Sequence, residues 1–263
     1  MDRNLALELV RVTEAAALSA ARQMGLGDEI TAERSAVTAM RKVFDSLDVH
    51  GEIVIGRGQS DDGGSLEPGS TVGSGDGPSI HLAVDALEGS APCASGRNNA
   101  LSCIAAGDPG SLMAVPEVYM DKIAVGPEAA GQIDLAATRT ENLHRIASAL
   151  GKEVQHLTVA ILDRPRHKEL IEEVRANDAR IRLLLDGDLA GAIAAALPDS
   201  GVDVLMGVGG APEGVLAAAA LRCIGGQMQG RLLFRNDDER ARAHKWGVED
   251  LNRVYGLEDM AKG

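Results

Sequence analysis

Residues 202–214 read VDVLMGVGGAPEG. The apolar run Val202–Val208 reads as a strand. The glycines that follow make a turn, and Pro212 stands where proline suits the first turn of a helix. Working outward, the same grammar repeats. Residues 156–162 read as a strand before a charged helix over 166–177, and Arg180–Leu185 as a strand before an Ala-rich helix over 188–197. Strands alternating with helices predict parallel α/β construction in this half, with the helix at 212–225 as its last repeat.

Upstream, a helix is expected over 139–150 and a linker near 126–140, where Gly, Pro and Thr cluster. Strands are expected at Tyr119–Val125, Ile80–Val84 and Gly51–Gly56, with Asp85 at the carboxyl end of the second. Residues 98–106, small and apolar, suit a buried strand or helix. Residues 57–78 form a Gly/Ser/Asp-rich loop too polar to bury. Helices are expected over 2–24, stopped by Gly25-Leu26-Gly27, and over 31–48 with Thr31 as N-cap. The tail 237–262 is charged and helical in character. The division expected from these shifts is 1–135, an α+β metal-site domain, and 136–263, an α/β substrate domain.

The chain has 263 residues, 26 Lys+Arg against 39 Asp+Glu, and a net charge of -13. Hydrophobic residues are 45% and aromatics 2%, so the core is aliphatic. An acidic chain with five aromatics lacks both the basic footprint and the stacking platforms of a nucleic-acid binder. It is also ill suited to anionic membranes. No apolar run of about 18 residues is present, and the first residues lack a signal-peptide layout, so a cytoplasmic protein is expected. Cys93, Cys103 and Cys223 have no CxxC spacing and read as reduced, buried cysteines. The six histidines are scattered without an HxxxH pair.

Four loops carry chemistry. In Val84-Asp85-Ala86-Leu87-Glu88-Gly89-Ser90, two carboxylates at a strand end can converge on one cation; a turn with N-cap acids is the plain alternative. The turn at 207–214 offers backbone amides and a helix N-terminus to an anion, while its Glu213 can equally just complement the helix dipole. Asp186-Gly187-Asp188 is either a site or a turn with an N-cap. Arg164-Pro165-Arg166-His167 can bind phosphate or simply start a solvated helix. Oxygen ligands without His or Cys point to Mg²⁺ or Mn²⁺, and arginines beside them to phosphate esters.

The chain resembles the class II fructose-1,6-bisphosphatases, the GlpX-type sugar phosphatases. The matching runs are LALELVRVTEAAA (5–17), AVTAMR (36–41), GEIVIG (51–56), AVDALEG (83–89), PEVYMDKIAVGP (116–127), RPRH (164–167), DGD (186–188) and GVGGAPEG (207–214), with GRLL (230–233) after it. The resemblance implies an α/β, layered sugar-phosphatase fold shared with inositol monophosphatases, and metal-dependent hydrolysis of a sugar 1-phosphate. It implies that Asp85, Glu88 and Glu213 bind one metal. Ser90, in place of the family's Thr, positions the attacking water. Glu88, Gly89, Ser90, Tyr119, Arg164, Arg166, Asp186, Asp188 and Gly210 contact substrate, with Arg164 replacing Lys. A homo-oligomer is also implied.

Two departures follow from the same comparison. The family's other metal site uses an Asp and a Glu, where this chain has Glu33 and Arg57, so Arg57 stands as a catalytic cation where a metal would sit. The usual GEGE reads Gly56-Arg57-Gly58-Gln59. The family continues for several tens of residues past the position of Gly263, so a divergent, C-terminally short member is expected, either as a shortened natural branch or because a piece is missing. Three readings remain open: an active sugar bisphosphatase with altered metal use or substrate, an impaired sugar-phosphate-binding relative, or an enzyme of another reaction type on sugar phosphates.

Overall fold

The computed structural model describes residues 3–61 and 63–263. Asp2, where the first helix was expected to begin, and Asp62, inside the expected loop, lie outside them. The chain divides into two compact units, residues 1–114 with 262–263, and residues 115–261.

In the first unit, α1 (Arg3–Ala21) and α2 (Glu29–Phe44) pack on a four-stranded sheet. Its strands are β1 (His50–Ile55), β2 (Thr71–Val72), β3 (Ser79–Glu88) and β4 (Leu101–Gly107), in the order β2-β1-β3-β4. β1 runs parallel to β3, and the other two pairings are antiparallel. The core is aliphatic as expected, built on Met40, Ile53, Leu66 and Leu82 with Phe44. The N-cap of α2 is Asp28, not Thr31: its carboxylate accepts the Thr31 N–H at 3.0 Å, and the helix starts two residues earlier than expected. The polar loop is not wholly exposed either. Leu66 and Val72 are buried from it, and two residues form β2.

The expected strand at 80–84 extends to Glu88, so Asp85 lies within β3 rather than at its end. The short helix α3 (Ser90–Ala94) follows directly. The turn after α1 is docked on α3, where Gly25 and Gly27 N–H donate to the carbonyls of Cys93 and Ala94 at 3.0 and 2.8 Å.

The second unit holds β5 (Tyr119–Val125), α4 (Arg139–Ala149), β6 (Thr158–Leu162), α5 (Lys168–Ala176), β7 (Arg180–Leu184) and α6 (Asp188–Ala194). β8 (Val204–Gly210), α7 (Ala211–Ile224), β9 (Gln227–Leu233), α8 (Asp237–Lys245), β10 (Val254–Gly256) and α9 (Leu257–Met260) complete it. The sheet order is β10-β9-β5-β8-β6-β7. Only β8, β6 and β7 form the expected parallel core; β5 runs antiparallel between β8 and β9. This moves the division upstream of the expected 135/136. Full-length pairing of β5 with two neighbours commits residues 119–125 to this unit, and the segment near 126–140 is a connection inside it. The tail is less helical than expected, because β10 adds an edge strand to β9.

Cys93 is buried as expected, but Cys103 is half-buried and Cys223 exposed; all three are free thiols. Among the described residues no helix is long and apolar enough to cross a membrane.

Candidate active site

Side chains alternate faces along a strand, so acids three positions apart should point opposite ways. In β3 the register with β4 shifts between them: Asp85 pairs with Cys103 and Glu88 with Leu101, three steps against two. This bulge carries one extra residue and turns Asp85 and Glu88 to one face. Both are buried. The Leu87 N–H donates to Asp85 Oδ1 at 3.1 Å, closing the bulge. Burial and the two carboxylates push the Cys103 thiol up to about 12, so it stays protonated beside them. Gly89 follows with φ 87°, a conformation that costs glycine nothing, and Ser90 opens α3 half-buried.

Arg57 leaves the end of β1 toward this pair. Its Nε lies 3.3 Å from Glu33 Oε1 and its Nη2 3.7 Å from Asp85 Oδ2. Two positions expected to share a metal thus hold a protein ion pair that reaches Asp85.

The second unit gathers its candidates at one edge of the sheet. Arg164 and Arg166 follow β6, Asp186 and Asp188 follow β7, and Glu213 follows β8. Tyr119 starts the antiparallel β5 at the same edge, in register with Gly210 and Leu233. Loops at the carboxyl ends of parallel strands are where such sheets build sites.

Arg164 faces Asp186 at 3.5 Å. Arg166 donates from Nε and Nη2 to the Val208 carbonyl at 3.1 and 2.8 Å, and its guanidinium lies 4.8 Å from the Tyr119 ring centroid. A Cβ on Gly209 would stand 1.9 Å from Asp188 Oδ2, and one on Gly210 1.9 Å from Glu213 Oε2. Both carboxylates lie over bare backbone that only glycine supplies.

His167 was grouped with the anion-binding arginines, and the structure corrects this. It is buried, with Nδ1 2.7 Å from the Leu162 carbonyl and Nε2 accepting the Val208 N–H at 2.7 Å. The amide can only donate, so Nε2 is unprotonated and the ring neutral. Burial, the main cause, pulls its pKa below the ordinary histidine value.

Two residues escaped the sequence reading. Lys122 is a buried lysine within β5, bonded to Asp188 and to the Gly210 carbonyl at 2.8 Å. The signal was a single lysine inside an apolar strand, MDKIAV (120–125), which needs a buried partner. Arg235, two residues past β9, lies over the Tyr119 ring at 5.1 Å, the same kind of contact that Arg166 makes with it. Its Nε donates to Glu239 Oε1 at 2.7 Å.

Among the described residues no three His, Cys, Asp or Glu side chains are grouped to hold a metal ion. Asp85 and Glu88 belong to the first unit and Glu213 to the second. The buried oxygen pair on β3 suits a hard divalent cation whose remaining ligands are water or substrate oxygens.

The comparisons with known proteins agree with this chemistry. Residues 3–263 match the family described as bacterial fructose-1,6-bisphosphatase, glpX-encoded. Three curated relatives are each 44% identical over 275 residues, covering 100% of this chain and 82% of theirs. They are fructose-1,6-bisphosphatase 1 class 2 of Escherichia coli strain K12 and the class 2 enzymes of Escherichia coli O6:H1 and Shigella flexneri. Matched from end to end at that identity, the chain belongs to the glpX-encoded bacterial fructose-1,6-bisphosphatase family.

Proposed function

We propose that the protein hydrolyses the 1-phosphate of fructose 1,6-bisphosphate or a closely related phosphorylated sugar, in the cytoplasm, as a homo-oligomer. The observation that carries the reading is the buried Asp85–Glu88 pair, turned to one face by the β3 bulge two residues before Ser90 opens α3. Family membership supports it independently.

In this reading Asp85 and Glu88 would hold Mg²⁺ or Mn²⁺ in the first unit, and Glu213 is a carboxylate at the strand-end edge of the second. The cation, when bound, supplies positive charge to the phosphoryl oxygens and lowers the pKa of water. Ser90 orients the attacking water. The water oxygen bonds to phosphorus, the phosphorus–O1 ester bond breaks, and the sugar oxygen leaves with a proton originating from that water. Arg57 adds fixed positive charge beside Asp85. Arg166, stacked on Tyr119, and Arg164 hold the distal phosphate, while Asp186 and Asp188 accept sugar hydroxyls.

One observation favours a second reading. The Arg57–Glu33 pair stands where the family's other metal site is expected, which suits a sugar-phosphate-binding relative of impaired activity. Phosphate release by the full chain, with Mn²⁺ or Mg²⁺, from a panel of sugar mono- and bisphosphates separates the two. Metal-dependent release from fructose 1,6-bisphosphate is expected. Saturable binding of that sugar without release under either metal would establish the second reading instead.

A further inference from the structure

The helix α1 has two apolar faces. Leu9, Val12, Ala16 and Ala20 are buried in the first unit's core. On the opposite side Leu7, Val10 and Leu18 are 60%, 50% and 68% exposed. Large aliphatic side chains in this number on one solvent face call for a cover.

The pattern on that face identifies the cover. Positions 7, 11, 14 and 18 recur at alternating spacings of four and three, the seam of a two-helix pair. They read Leu7, Arg11, Glu14, Leu18. Laid against a second copy running antiparallel, Leu7 meets Leu18 of the other chain and Arg11 meets Glu14. The two-fold axis then repeats both pairs. This order is self-complementary: apolar ends meet apolar ends, and each charge meets its opposite. An isologous interface demands that property, and an unrelated partner does not. Arg11 and Glu14 are both exposed, and neither forms an ion pair within the chain among the described residues. Leu7 and Leu18 lie about 16 Å apart along the axis at 1.5 Å per residue, three turns over which such a seam can mesh.

We propose that α1 is a homodimer contact, in which the solvent faces of two copies pair antiparallel across a two-fold axis through the Arg11–Glu14 layers. This gives a surface to the homo-oligomer named above and rests on that reading.

The test is the dissociation constant of the full chain by sedimentation velocity across a concentration series. Four variants accompany the parent: Leu18→Glu, Arg11→Glu, Glu14→Arg and the double Arg11→Glu/Glu14→Arg. All four changes lie on the solvent face, and circular dichroism checks that each variant keeps the parent's helicity. Leu18→Glu should weaken association at least about tenfold, because it sets an unpaired carboxylate against Leu7 of the other copy. Each single charge reversal should weaken it, because like charges then meet. The double variant restores opposite charges and should recover most of the parent's affinity. A parent that stays monomeric at every concentration overturns both the dimer and this surface. A parent that associates while Leu18→Glu associates equally well overturns the surface and leaves the oligomer standing. Failure of the double variant to recover overturns the antiparallel register.

Discussion

Arg57 and Asp85 face each other in the first unit, Nη2 to Oδ2 at 3.7 Å, with Glu33 on the other side of the guanidinium at 3.3 Å. Arg57 and Glu33 are each a third or more exposed, so their pairing contributes at most about 1 kcal/mol to stability. Its effect is electrostatic, exerted on a buried carboxylate. The chain should therefore bind one Mn²⁺ where an acidic residue at position 57 would allow two. Calorimetric titration should find one site in the parent and a second in Arg57→Glu. Arg57→Ala should shift the unfolding free energy by less than about 1 kcal/mol. Two sites in the parent would reject the replacement.

Lys122 and Asp188 are a buried pair, and breaking such a pair strands one charge. Lys122→Met should cost about 3–5 kcal/mol, read from urea unfolding midpoints. Asp188→Leu should cost a similar amount. The double variant should lose clearly less than the two together, because neither charge is then left alone. Additive losses would show that the two side chains are not coupled.

Arg166 holds the edge of the sheet through the Val208 carbonyl and stacks on Tyr119. With Arg166→Ala, binding of a sugar bisphosphate should weaken by about 1.5–3 kcal/mol, roughly 10- to 150-fold. A monophosphate lacking the distal group should lose far less. Equal losses for both ligands would remove Arg166 from the distal-phosphate site.

His167 is neutral in the fold, and its pKa is lowered by burial. The unfolded chain therefore takes up a proton first as pH falls. Above about 6.5 the histidine has no effect on the balance; below it, protonation favours unfolding. Parent stability should thus decline between about pH 7 and pH 5. His167→Gln should start less stable at pH 7.5 and decline less over the same interval. Parallel thermal-midpoint profiles for the two proteins would show that other groups set the pH response.

Much was legible in the residues alone. Strand–turn–helix repeats after residue 156, the aliphatic core, and the strand ends near which Arg166, Asp186 and Glu213 stand all follow from local periodicity and turn chemistry. Local rules carry that far because a strand's alternation and a helix's start are properties of neighbouring residues. They did not reveal that β5 runs antiparallel between β8 and β9, since strand direction depends on which distant segments exchange hydrogen bonds. They suggested that Asp85 and Glu88 converge, but the bulge that turns both to one face exists only against β4. The partners of Lys122, Arg235 and His167 were not legible for the same reason: Asp188, Tyr119 and the Val208 amide each lie far away in the chain. What the sequence by itself determined is the inventory of charged and polar groups and the elements that carry them. Which charge meets which, and which is buried, only the tertiary structure decided, because Coulomb energy and desolvation depend on distances that sequence spacing does not set.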